Sequence, residues 1–139
     1  MSTPSRAEVE AAFKHYLKVG AEQHDWNAWA DLFTEDALYV EVQYGTFHGR
    51  EAIRKWITEV MATVPDMYFP PPDWYAIDGD RVIFYLQNVL PNPDPKGQPF
   101  GFSNVTILRY RDGLWSYEED IYDVRASMRV KELFKAAKK

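Results

Sequence analysis

Apolar residues recur at helical spacing in the first half of the chain and at alternating spacing through most of the second. Val9, Phe13, Tyr16, Leu17 and Gly20 form one stripe. Ser5-Arg6-Ala7-Glu8 ahead of them has the order of a capping box, so the pattern predicts a helix over about 6–22. Asp25 is placed to cap a second, short helix whose stripe is Trp26, Trp29, Leu32 and Phe33, ending at Thr34-Glu35-Asp36. Residues 37–44 alternate as a strand. Gly49 opens a third helix with Ile53, Trp56, Ile57, Val60 and Met61 on one face, and that helix must stop before Pro65.

From residue 67 onward the chain reads as extended. Pro70-Pro71-Pro72 breaks the first stretch (67–77) and confines it to an edge or a kink. Asp78-Gly79-Asp80 and Asp112-Gly113 are hairpin turns. They separate strands at 81–90, 100–110 and 114–122, the first two being joined by a proline-rich loop at 91–99. Asp123 is placed to cap a last helix over 124–137. This order predicts an α+β fold: a cone-shaped, curved, mixed but mainly antiparallel sheet, with three N-terminal helices on its concave face. The 139 residues are expected to form one domain, 1–139. A hollow is expected at the open end of the cone.

Composition sharpens this picture in three ways. Aromatic residues make up 16% of the chain (5 Trp, 9 Tyr, 8 Phe), enough to line an apolar pocket as well as a core. The formal charge is -5, with no basic patch outside the C-terminal lysines, which argues against nucleic-acid binding. There is no cysteine, which excludes disulfides, thiol catalysis and zinc-thiolate sites, and His15, His24 and His48 have no metal-ligand spacing, so no metal is expected. No segment approaches the length of a membrane span and no apolar leader follows Met1, so the expected location is the cytoplasm. Ile83 and Tyr85, with Leu108 and Tyr110, suggest an apolar second sheet face and hence a homodimer.

Three stretches carry a family resemblance: DWNAWADLFTEDALYVEVQYGTFHGREAI at 25–53, IDGDRVIFYLQNV, and FSNVTILRYRDGLWSYEEDIYD. They resemble the SnoaL-like family of the nuclear-transport-factor-2-like superfamily, relatives of ketosteroid isomerases, polyketide cyclases and limonene-epoxide hydrolases. The resemblance implies that Glu41 stands where the isomerases keep their general base, and that Tyr16 lies nearest their oxyanion tyrosine. Ser103 falls near their oxyanion acid; a serine can donate a hydrogen bond there but cannot be the acid. Against the epoxide hydrolases, Asn88 and Asp120 fall near the two aspartates and Leu86 near the arginine. Asp25 is the nearest match to the acid of the scytalone-dehydratase-like members.

The candidate catalytic residues are therefore Glu41, Asp120, Asn88 and Tyr16. Glu41 shares a strand face with Ala37 and Tyr39. Asp120 shares one with Glu118, while Glu119 points the other way. Two neighbouring carboxyls can split their pKa values into an acid and a base. Trp29, Trp56, Phe84, Phe102, Ser103 and His48 are the candidate substrate contacts; Ser103 and Asn104 lie on opposite faces, so one of them is expected to see the pocket. The resemblance implies a cofactor-independent isomerase, dehydratase or cyclase. It would work by proton transfer on a small hydrophobic oxygenated molecule of steroid, terpenoid or polyketide type. Epoxide hydrolase-like water addition, and a non-catalytic ligand-binding or assembly role, stand beside it.

Overall fold

The computed structural model describes residues 3–139. Helix α1 spans Arg6–Leu17, and Ser5 Oγ accepts the Glu8 backbone N–H at 3.1 Å, as the capping pattern requires. The expected last turn of this helix is instead a π-helical turn, Lys18–Glu22. Gly20 sits in it, and a Cβ there would lie 2.6 Å from Trp29 Cδ1. The indole of the next helix thus packs directly on bare backbone. Helix α2 covers only Trp26–Ala30, capped by Asp25 Oδ1.

Strand β1 runs Phe33–Glu41, four residues earlier than the alternation alone suggests. The last apolar pair of the expected second helix is therefore split. The Trp115 N–H donates to Leu32 O at 2.8 Å, and Phe33 pairs with Trp115 in the ladder, so sheet hydrogen bonds claim this segment. After a turn at Val42–Tyr44 a short strand, β2 (Gly45–His48), folds back on β1; the sequence gives it no clear period. Helix α3 is Arg50–Ala62. Strands β3 (Trp74–Asp78), β4 (Arg81–Leu90), β5 (Phe100–Arg111) and β6 (Leu114–Ile121) follow as a meander, and α4 (Val124–Ala137) closes the chain with Asp123 as its cap.

The six strands lie in the order β2-β1-β6-β5-β4-β3. Each neighbouring pair is antiparallel except β1 and β6, which run parallel. Register shifts in β1 and at Arg109/Tyr110 of β5 help bend the sheet. Its concave face meets α1, α2 and α3 through Val9, Phe13, Trp29, Ile53, Val82, Phe84, Leu108 and Trp115. Helix α4 packs at one end of the sheet, where Val130 joins Met67, Leu90 and Phe102. Leu108 and Tyr110 are buried on the concave side, so they do not belong to the second face with Ile83 and Tyr85. In β5 the inward positions are the even ones, from Phe102 through Asn104 and Thr106. No helix among the described residues is long and apolar enough to cross a membrane.

Candidate functional site

Strand register brings the polar residues together. One ladder row crosses the concave face as Glu41, Asp120, Thr106 and Phe84; the next, one pleat away, is Tyr39, Glu118, Leu108 and Val82. Four inward carboxyl or hydroxyl side chains from β1 and β6 therefore occupy adjacent positions. Above them lies a cavity of about 140 Å³. Trp29, Trp56, Phe69, Phe84, Leu86 and Phe102 are among its apolar walls, and Ser127 and Lys131 of α4 stand at one side.

The floor is a continuous hydrogen-bond network. Tyr16 Oη donates to Glu118 Oε1 at 2.7 Å. Tyr39 Oη lies 2.6 Å from Glu118 Oε2 and also within hydrogen-bond reach of Asp120 Oδ2. The Thr106 hydroxyl donates to Asp120 Oδ1 at 2.8 Å and accepts from Asn104 Nδ2 at 2.8 Å. A tyrosine hydroxyl has one proton, and two carboxylates cannot share it. One of Glu118 and Asp120 must therefore be protonated.

The surroundings identify which. Burial, reinforced by the Asp120 charge, pushes Glu118 well above the ordinary carboxylate range. Asp120 is raised by burial too, but the neighbouring Glu118 carboxyl and hydrogen bonds from Tyr39 and Thr106 favour its ionised form. The consistent arrangement is a neutral Glu118 that donates to Tyr39, while Tyr39 donates to an ionised Asp120. Tyr16 and Tyr39 are themselves held protonated, first by burial and then by these carboxylates.

Glu41 sits beside this relay. Its Oε1 accepts the N–H groups of Gln43 and Tyr44 at 2.7 and 3.3 Å and so ties down the β1–β2 turn. Its Oε2 accepts only from Tyr122 among the described residues, at 2.8 Å, which leaves acceptor capacity free. Burial raises its pKa, partly offset by the Gln43 N–H. A carboxylate of raised pKa is a stronger base than an ordinary one.

The structure thus gathers Glu41, Asp120, Asn88 and Tyr16 around one cavity, with Trp29, Trp56, Phe84 and Phe102 in its walls. Tyr16 does not offer a free donor, because its proton is committed to Glu118. Ser103 and His48 are not among the described lining residues: Ser103 is at an outward position of β5, and His48 is an exposed residue ending β2. Asn104 takes the place considered for Ser103. Tyr39, Thr106 and Tyr122 were not singled out by the sequence reading, and Glu118 was noted only for its parity with Asp120. Parity with Glu41 and with Asp120 is the one sequence signal that marks Tyr39 and Glu118.

Among solved structures, TerC co-crystallised with polyporic acid is 20% identical, with 90% of this chain and 98% of TerC covered and a TM-score of 0.74. A protein of ketosteroid isomerase-like fold from Catenulispora acidiphila, in complex with trimethylamine, is 21% identical over 94% and 95%, with a TM-score of 0.69. An LEH-like epoxide hydrolase from M. tuberculosis is 17% identical over 96% of each chain, with a TM-score of 0.70. At these identities the likeness establishes the fold. No curated protein matches the sequence. Residues 8–118, most of the chain, match the SnoaL-like domain, and the protein belongs to that family.

Proposed function

We propose that this protein is a cofactor-independent enzyme that moves protons on a small hydrophobic oxygenated molecule, as an isomerase, dehydratase or cyclase does. The observation that carries the reading is the single Tyr39 hydroxyl between a buried carboxyl, Glu118, and a half-buried one, Asp120, one ladder row from Glu41, on the floor of an aromatic cavity. Such a floor holds a base and a loaded acid side by side. Glu41 Oε2 takes a proton from carbon next to the substrate's carbonyl. An oxygen of the substrate takes a proton from the relay, whose one acidic proton starts on Glu118: Glu118 passes it to Tyr39 as Tyr39 passes its own to Asp120, and Asp120 hands that proton to the substrate, which leaves Glu118 ionised and Glu41 protonated until both protons are returned. Asn88, half-buried on the cavity wall, is placed to orient the substrate's oxygen. The apolar walls exclude water and keep the carboxyls' pKa values raised.

The small-molecule complexes of TerC and the Catenulispora protein support a ligand-binding role for this cavity. Water addition to an epoxide, the reaction implied by the M. tuberculosis neighbour's name, would use the same polar floor. It is less well supported, because Leu86 and Asn88 supply neither an arginine nor an aspartate at the positions matched to that chemistry.

The test is exchange of carbon-bound hydrogen in D2O, followed by NMR over a panel of cyclic ketones. The wild type should accelerate exchange next to the carbonyl of at least one, and Glu41→Gln should slow it by about 100-fold or more. Exchange no faster than in buffer for every ketone, or an unaffected Glu41→Gln variant, would overturn the proposal.

A further inference from the structure

Two buried side-chain polar atoms have no partner among the described residues, Trp56 Nε1 and Asn104 Oδ1, and both residues line the cavity. Buried polar groups are almost always paired, so two unpaired groups on residues of one cavity mark something the cavity receives. Their chemistry is complementary: the indole N–H can only donate, and the amide oxygen can only accept.

The network fixes which end of the Asn104 amide is free. Thr106 has one hydroxyl proton, and the ionised Asp120 accepts it. The Thr106 oxygen must then accept from Asn104 Nδ2, as observed at 2.8 Å. That leaves Oδ1 as the unpaired end, and Asn104 is 8% exposed, so bulk water does not serve it. Trp56 is held in a cage of rings, with Phe47 at 4.9 Å, Tyr39 at 5.0 Å and Tyr44 at 5.9 Å between centroids, and its N–H cannot swing away to another partner.

We infer that the cavity is built for a hydroxylated carbonyl compound, whose carbonyl oxygen accepts from Trp56 Nε1 and whose hydroxyl donates to Asn104 Oδ1. The inference rests on the proposed function in placing the ligand on the same floor, and it narrows the substrate class. A hydrocarbon ketone or epoxide leaves the asparagine oxygen stranded. A hydroxylated ketone pairs both groups. Asn104 and Thr106 are one pleat apart on the inner face of β5, and Thr106 pairs with Asp120. The ligand's hydroxyl is therefore anchored within one side-chain spacing of the relay, while the rest of the molecule extends towards Trp56.

Calorimetric titration with 1-tetralone, its 5-, 6- and 7-hydroxy derivatives and their methyl ethers tests this without requiring turnover. At least one hydroxytetralone should bind the wild type about tenfold or more tightly than both 1-tetralone and its own methyl ether. Asn104→Leu should abolish that preference. Trp56→Phe should weaken 1-tetralone and the hydroxytetralone alike and leave the preference in place, and this arm is informative even if Asn104→Leu does not fold. Equal binding of hydroxylated and plain compounds, no binding by any of them, or a preference that survives Asn104→Leu would overturn the inference. Hydroxyl preference without hydrogen exchange would instead remove the proposed catalysis and leave this inference standing; exchange on plain ketones without hydroxyl preference would do the reverse.

Discussion

Replacing Glu118 with glutamine tests the protonation of the site through stability. In the native protein Glu118 is 2% exposed and burial holds its pKa well above the unfolded value near 4.5. A carboxyl whose folded pKa is raised stabilises the fold fully below its unfolded pKa and loses that contribution as pH rises through the folded pKa. Across this window the unfolded chain has released the proton and the native protein still binds it. The stability of the wild type therefore falls by about 1.4 kcal/mol per pH unit from this one group. Glutamine at 118 has no proton to lose. Its amide can accept from Tyr16 and donate towards Tyr39, as the neutral acid does. Wild type and Glu118→Gln should be of similar stability near pH 4.5. The variant should gain about 2.7 kcal/mol on the wild type over two pH units in which native Glu118 keeps its proton. Urea unfolding of both proteins from pH 4.5 to 8 measures this difference, and contributions from Glu41, Asp120 and surface groups largely cancel in it. Parallel stability curves, or a variant that weakens with rising pH faster than the wild type, would refute the reasoning.

Other expectations follow from the same geometry. Tyr39→Phe removes the hydroxyl that serves both Glu118 and Asp120, and should cost about 2–4 kcal/mol in urea unfolding near neutral pH. Gly20→Ala puts a Cβ 2.6 Å from Trp29 Cδ1 and 3.3 Å from the Trp26 ring, and should lower stability by about 1–3 kcal/mol, read as a lower thermal midpoint.

The helices, the hairpins and the shared strand faces of Glu41 with Tyr39 and of Asp120 with Glu118 were legible because each depends on local spacing and turn chemistry. The capping Ser5 and Asp123 and the Asp112-Gly113 turn are local signals of this kind. The relay was not legible, because it depends on register between strands far apart in sequence. Tyr39 meets Glu118 across 79 positions, and Tyr16 meets it across 102. Nothing in either segment states that β1 and β6 run parallel with Glu41 level with Asp120. The same gap explains Leu108 and Tyr110, whose face follows from how β5 is registered against β4 and β6. It also explains the choice between Ser103 and Asn104: alternation places them on opposite faces, and only the ladder decides which face is concave.

The account stands on one proton held by Glu118 at neutral pH. Infrared difference spectroscopy of wild type against Glu118→Gln, with glutamate side chains labelled with 13C at the carboxyl, observes it directly. The account predicts a protonated-carboxyl C=O band at pH 7 that is missing from the variant. A spectrum in which the wild type differs from the variant only by a carboxylate band would contradict it.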